Sequence, residues 1–308
     1  MPHDRRDLHG VFLLDKPRGM SSNHALQRVK RLLRAKKAGH TGSLDPLATG
    51  MLPICLGDAT RLSQYLLDAD KSYDVVARLG QSSTTGDAEG EITTQDSTPS
   101  LNREQWQEIA ARFLGEIQQI PPMYSALKHD GKRLYELARK GQEVERPART
   151  VRVHSIEVTA VSNERLELSV TCSKGTYIRT LVEDLAAAAG TVAWTERLHR
   201  SGVAPFTQAM HGLEHLEALP DSADVSQQVL LPVASCVAGL PKITLDAADA
   251  RRFCEGQALD LAALVGRFAV NSAQDDLLGV VEVAAGGEIV TRKVLSAARQ
   301  ALDSAEKP

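Results

Sequence analysis

An α+β fold, with a mixed, largely antiparallel central sheet flanked by helices and a small β-rich C-terminal module, is what this 308-residue sequence predicts. Three observations lead there. Strand-like and helical segments do not alternate regularly, which argues against a doubly wound parallel sheet. "TVRVHSIEVTAV" and "RLELSVTCS" alternate as two antiparallel strands joined near Ser162–Asn163. After a polar, poorly patterned stretch around 220–240, "RFAVNSAQDDLLGVVEVAAGGEIVTRKVL" shows short apolar runs separated by Gly and Asp turns, the pattern of a compact β module. The expected division is therefore residues 1–237 and 238–308.

The elements follow in order. "GVFLLDKPRGMSS" reads as a short apolar strand stopped by Pro17 and Gly19, after which Ser21 or Ser22 can cap a helix through its hydroxyl. Ala25, Leu26, Val29, Leu32 and Leu33 share one side of that helix, and Arg28, Lys30, Arg31 and Arg34 lie mostly elsewhere around it. The stretch "GHTGSLDPLATGMLPICLG", residues 39–57, is read as turn chemistry around a single carboxylate, Asp45. Asp58 is expected to cap a second helix with Leu62, Tyr65 and Leu66 inward. "SYDVVARLG" is a strand, and "QSSTTGDAEGE" a loop. Asn102 starts a helix with Trp106, Ile109, Ala110 and Phe113 on one face. Residues 118–150 give a strand-like piece, a Gly131 turn, a short basic helix and a polar exit, and Lys174–Gly175–Thr176 leads into a helix over roughly 177–189.

Composition limits the function classes. Apolar content of 43% and charged content of 24% are those of an ordinary globular protein. No apolar run approaches the length of a membrane span, and Val11–Leu14 is too short for a signal-peptide core. Cys55, Cys172, Cys236 and Cys254 are scattered, so reduced thiols in a cytoplasmic protein are expected rather than a disulfide or metal framework. The net charge of −3 hides an asymmetry: residues 1–40 carry ten Lys/Arg against three Asp/Glu, and residues 123–152 carry eight against four. Such segments suit a polyanion bound on one face, and equally suit solvated helix faces.

Several familiar motifs are absent: no phosphate-binding G-x-x-x-x-G-K-[ST] loop, no G-x-G-x-x-G, no H-E-x-x-H and no G-x-S-x-G. What remains is His40, Asp45, Tyr73 and Arg179, each beside a turn or strand edge. Singly, each has an ordinary structural reading. Asp45 could be a turn carboxylate bonded to its own backbone, His40 a structural histidine, Tyr73 a strand aromatic and Lys16 an exposed turn lysine. Arg179, near a helix start between Ile178 and Leu181, calls for a carboxylate partner if it is buried.

Taken together, "LLDKPRGMSS", "AGHTGSLDPLATGMLPICLG", "QYLLDADKSYDVVARLG", "MYSALK" and "CSKGTYIRTL" closely resemble the bacterial pseudouridine synthases that modify uridine 55 in the T loop of tRNA, over nearly continuous stretches of residues 10–200. The resemblance implies a catalytic domain over 1–237 with an RNA-clamping insertion at about 123–152, and a PUA-like RNA-binding module over 238–308. It makes Asp45 the nucleophile, Arg179 its ionic partner, and Tyr73 a tyrosine that stacks on the target base and helps remove the C5 proton. His40 fills the space left by extruded bases, and Lys16 with Pro17 supports the active-site loop, with Lys16 also placed among the RNA-binding residues. Gly42, Tyr177, Leu198 and Lys132 complete that RNA-binding set. A base inside a folded loop must be flipped out to be reached. The implied reaction needs no cofactor and no metal, and the implied partner is the T stem-loop of tRNA, bound by a monomer. The rival classes are a non-catalytic RNA-binding protein on the same scaffold and a phosphate-binding transferase using the glycine-rich turn as an anion cradle.

Overall fold

A computed structural model describes residues 5–125, 127–220, 228–259, 261 and 264–299. Its first strand, β1 (Gly10–Lys16), explains the apolar run at the start of the chain. Successive side chains of a strand point to opposite faces, and here both faces are covered. Phe12 and Leu14 enter one hydrophobic core, and Val11 and Leu13 enter another.

Helix α1 (Ser22–Leu32) starts at Ser21, whose hydroxyl accepts from the His24 amide at 3.2 Å, so of the two candidate caps it is Ser21 that caps. Strands β2 (Ala38–His40) and β3 (Thr49–Leu56) bracket the loop that carries Asp45. The stretch read as turn chemistry is thus a strand over half its length. Pro53 lies opposite Leu13 of β1, and its carbonyl accepts from the Thr41 amide at 3.2 Å. This is just beyond the end of the β2 ladder at Ile54, where its missing N–H interrupts no strand pairing.

Helix α2 (Ala59–Asp68) follows, then β4 (Lys71–Leu79) and a ribbon of β5 (Gln81–Ser83) with β6 (Ile92–Gln95). Asp58 does not cap α2: it sits in the helical region, and its side chain accepts no hydrogen bond from the first-turn amides. Its buried carboxylate instead accepts from the Ala297 amide at 3.1 Å and lies 3.4 Å from both His9 and Arg61. It joins three parts of the chain. Helix α3 (Arg103–Ala111) opens with a reciprocal capping box between Asn102 and Gln105.

Next come β7 (Gly115–Gln119), a two-stranded ribbon of β8 (Lys128–His129) and β9 (Lys132–Arg133), and α4 (Leu134–Ala138). The long hairpin of β10 (Arg149–Val161) and β11 (Arg165–Cys172) leads to α5 (Ile178–Ala188), β12 (Ala193–Val203) and α6 (Leu213–Glu217). The central sheet runs β1-β3-β12-β4-β11-β10-β7, with β2 also paired to β3. Every neighbour on that path is antiparallel except β3 and β12, whose short parallel contact lies at the mouth of the Asp45 loop.

Beyond a 3₁₀ turn at Val233–Val237 lie β13 (Lys242–Thr244), α7 (Ala247–Glu255), β14 (Gly266–Asn271), β15 (Leu277–Val283) and β16 (Ile289–Val294), which close a four-stranded sheet around α7. Among the described residues this small sheet has no separate core. Phe253, Val280 and Val281 share one apolar cluster with Val11, Leu13, Met51, Leu62 and Leu66 of the larger part. Much of the polar stretch expected to separate the two parts, residues 221–227, lies outside the described residues.

Candidate active site

The loop over residues 41–48 is held from below by side chains that carry no reaction. The Lys16 ammonium donates to the carbonyls of Pro17 at 2.8 Å, Met20 at 2.7 Å and Pro46 at 3.5 Å. The Ser22 hydroxyl donates to the Leu44 carbonyl at 2.9 Å and accepts from the Leu44 amide at 2.7 Å. Gly19 donates its amide to the Pro46 carbonyl at 2.7 Å. Asp45 is thereby held between two anchored residues, Leu44 and Pro46. This answers why one carboxylate stands among so many turn residues: the backbone around it is pinned at both sides.

The Asp45 side chain keeps 40% of its exposure, and its carboxylate lies 3.0 Å from the buried Arg179 guanidinium. Arg179 sits in the first turn of α5, and both its terminal nitrogens are engaged. It donates to the carbonyls of Thr85 at 2.8 Å and Tyr124 at 2.6 Å, and it lies 3.1 Å from a second, buried carboxylate, Asp87. Asp87 is fixed in turn by the Thr85 hydroxyl at 2.6 Å and the Glu89 amide at 3.0 Å. One cation between two carboxylates leaves the trio with a net negative charge, and Asp45 is its most exposed member. Burial raises the Asp45 pKa above the usual carboxylate value, Arg179 opposes that, and Asp87 adds to it.

Above the carboxylate is a cavity of about 370 Å³ lined by Gly42, Asp45, Tyr73, Tyr177, Arg179 and Leu198, together with Lys71 and Arg200. Six of the expected site residues, drawn from β4, α5, β12 and the Asp45 loop, therefore meet in one place. Tyr73 is 9% exposed; burial raises its pKa and keeps the phenol protonated, although the neighbouring Arg200 lowers it. Lys71 is spent on the C-terminal end of α2, donating to the carbonyls of Leu66, Leu67 and Ala69, and burial lowers its pKa to about 8.

Three expected residues do not line this cavity. Lys16 is 0% exposed, so it cannot touch RNA; its place among the RNA-binding residues is corrected, because all three ammonium protons serve backbone carbonyls. Burial lowers its pKa to about 8. His40 is half-buried on β2, its Nδ1 has no protein partner, and burial with the nearby Arg200 lowers its pKa, which keeps the ring neutral at pH 7. Lys132 is exposed on the β8–β9 ribbon, away from the cavity wall.

Sequence reasoning missed Asp87, Ser22 and Arg200. Asp87 lies in a segment read as loop, among Glu89 and Glu91, and nothing in the spacing singles it out. Arg200 follows two basic positions on a strand and reads as a surface charge, yet it is 1% exposed.

The fold and the cleft together define the class: a pseudouridine synthase, an isomerase acting on RNA. In fold the chain matches the Cbf5-Nop10-Gar1 complex at a TM-score of 0.74 and 24% identity, covering 93% of this chain and 84% of that one. It matches an H/ACA RNP bound to a substrate RNA containing 2′-deoxyuridine at 0.70 and 23%, covering 93% and 85%. Residues 30–178 match the N-terminal domain of the TruB family pseudouridylate synthases, and residues 241–295 match the C-terminal part of pseudouridine synthase II TruB. Among relatives, a tRNA pseudouridine synthase B of Ralstonia pickettii (strain 12J) is 54% identical, over 83% of this chain and 81% of its own. One from Burkholderia mallei (strain NCTC 10247) is 49% identical over 96% and 99%, and one from Chromohalobacter salexigens is 48% identical over 94% and 95%. The chain belongs to the TruB family of pseudouridine synthases.

Proposed function

We infer that Asp45 is the nucleophile with which this enzyme, a tRNA pseudouridine synthase, isomerises uridine 55 to pseudouridine. The observation that carries the assignment is geometric. Asp45 is a partly exposed carboxylate at the floor of a base-sized cavity, held 3.0 Å from an arginine that cannot turn away from it. A carboxylate suits the step because it is anionic near neutral pH and can form a covalent intermediate. Arg179 keeps it ionised and aimed, and Asp87 and two carbonyls keep Arg179 in place. Tyr73 and Leu198 line the cavity that receives the ring of a flipped uridine.

The substrate element is the T stem-loop, bound by a monomer, with the segment over 123–152 as the clamp that receives it. Support for the clamp comes from its excess of basic residues and from its attachment: the Tyr124 carbonyl accepts from Arg179, so the base of the clamp is bonded to the catalytic trio. Residues 238–308 form an auxiliary RNA grip. No helix among the described residues is long and apolar enough to cross a membrane.

The test is release of tritium from tRNA labelled at C5 of uridine, without added nucleotide or metal. The wild-type chain should release one label per tRNA, with pseudouridine at position 55 on nucleoside mapping. Label release from another position, or binding without release, would refute the assignment.

A further inference from the structure

The cavity contains a second buried guanidinium that no step above uses. Arg200, near the end of β12, is 1% exposed. Its Nε donates to the Met51 carbonyl at 2.6 Å and one terminal nitrogen donates to the Gly42 carbonyl at 3.2 Å, while Tyr73 lines the same cavity wall. All these acceptors are neutral. Among the described residues no carboxylate pairs with it, whereas the equally buried Arg179 has two, at 3.0 and 3.1 Å.

Burying a cation without a counter-ion is strongly unfavourable. Holding two carbonyls does not require a charge. Elsewhere in the same site Gln119, also buried, does comparable work with a neutral amide, donating to the Tyr177 carbonyl at 3.3 Å and accepting from the Tyr177 amide at 3.0 Å. The charge on Arg200 is therefore surplus to its structural duty. It stands on the cavity wall beside Tyr73, where a flipped base would rest.

We propose that Arg200 is an electrostatic positioning residue, acting through the Tyr73 hydroxyl to stabilise the uracil anion that exists only while the glycosidic bond is broken. The proposal rests on the isomerase reading above and specifies the charge the site is built to meet. When the C1′–N1 bond breaks, its electron pair stays on N1 and the negative charge spreads over O2 and O4. C1′ is left electron-poor beside the Asp45 carboxylate, and no proton moves in this step. Later C5 bonds to C1′, the C5 hydrogen leaves as a proton and N1 regains one, so the net change is isomerisation.

With the guanidinium and the phenol on one cavity wall, the Tyr73 O–H proton is available to donate to a uracil carbonyl. The guanidinium also strengthens that donor. Burial keeps the phenol protonated, as a donor must be. A preorganised charge of this kind favours the transition state over the bound uridine, which is neutral.

The experiment compares Arg200→Gln, a neutral donor, and Arg200→Lys, which keeps the charge, in single turnover on full-length tRNA, with tRNA affinity and melting temperature measured alongside. A second substrate, a T stem-loop with 5-fluorouridine at position 55, provides a better leaving anion; its loss is followed by nucleoside analysis. Arg200→Gln should lose about 100-fold in rate with affinity changed by less than about threefold. Arg200→Lys should recover at least about tenfold of that loss. Fluorination should speed the Gln variant, relative to its uridine rate, more than it speeds wild type. Adding Arg200→Gln to Tyr73→Phe should cost clearly less than it costs alone.

An equal fluorine effect in both proteins, additive losses, or affinity falling in step with rate would each overturn the proposal and leave Arg200 a strut. If Arg200→Gln does not fold, Arg200→Lys decides: wild-type fluorine sensitivity and a rate within about tenfold of wild type support the proposal, and a loss of about 100-fold overturns it. A wild-type chain that releases no tritium at uridine 55 would instead remove the isomerase reading, and this proposal with it.

Discussion

Asp45 and Arg179 show how a single ion pair can be tuned for a reaction. Removing the proposed nucleophile while keeping its shape, Asp45→Asn, should lower single-turnover isomerisation by at least about 1,000-fold and leave tRNA affinity within a few-fold. Residual turnover at a tenth of wild type would show that another group attacks. The pH dependence has a definite sign. Asp45 must be ionised to act, and burial places its pKa above the ordinary carboxylate value, so activity should fall on acidification at a higher pH than a solvated aspartate would dictate. Arg179 lowers that pKa and Asp87 raises it. Accordingly Arg179→Met should move the acid limb of kcat/KM to higher pH, and Asp87→Asn should move it to lower pH while slowing the reaction by loosening Arg179. Acid limbs that coincide in all three proteins would mean that Asp45 does not control them.

Among the elements, the contact between β3 and β12 is the one on which the site depends. Gly50 has φ +97°, and a Cβ placed there would lie 2.3 Å from the Arg200 carbonyl oxygen and 2.8 Å from its amide nitrogen. Only glycine lets these two backbones approach. Gly50→Ala should therefore destabilise the protein by more than about 3 kcal/mol, as a shift of the urea midpoint, because both strain and a backbone clash are introduced. A loss below about 1 kcal/mol would show that β12 can slide away at little cost. The opposite lesson comes from Asp58, whose position before α2 is that of an N-cap but whose carboxylate is taken by Ala297, His9 and Arg61. A tertiary partner outcompeted the local one.

Considered whole, the molecule packs its central sheet and its small C-terminal sheet on one continuous apolar layer. Phe253, Val280 and Val281 cover the outer face made by Val11, Leu13, Met51 and Leu62. A shared core implies coupled folding, so calorimetry should record a single unfolding transition rather than two. A chain cut near Ala238 uncovers that face and should elute as aggregate, or melt well below the intact protein. Two resolved transitions, or a monodisperse truncation of unchanged stability, would make the C-terminal part an independent domain. Binding should follow counterion release, with log affinity for tRNA falling linearly with log salt. Replacing the exposed Lys132 should lower that slope by about one at most. Arg28 should matter less, since it is already engaged by Glu217.

The sequence by itself determined whatever depends on neighbours along the chain. The periodicity of α1, the capping box of α3 and the alternation of β10 and β11 were legible because each is a local pattern repeated over many residues. Asp45, Tyr73 and Arg179 were legible as a group through their motifs, which mark a family without showing a distance. Tertiary structure alone decided the rest. It brought Asp87 to Arg179 from 92 positions away, turned Ser22 and Lys16 into struts for the Asp45 loop, and buried Arg200 with no carboxylate partner among the described residues. A single charged or hydroxyl side chain has no period and no characteristic neighbours. Its burial and its partner are set by which segments the sheet order brings together, and that order is not written in any one of them.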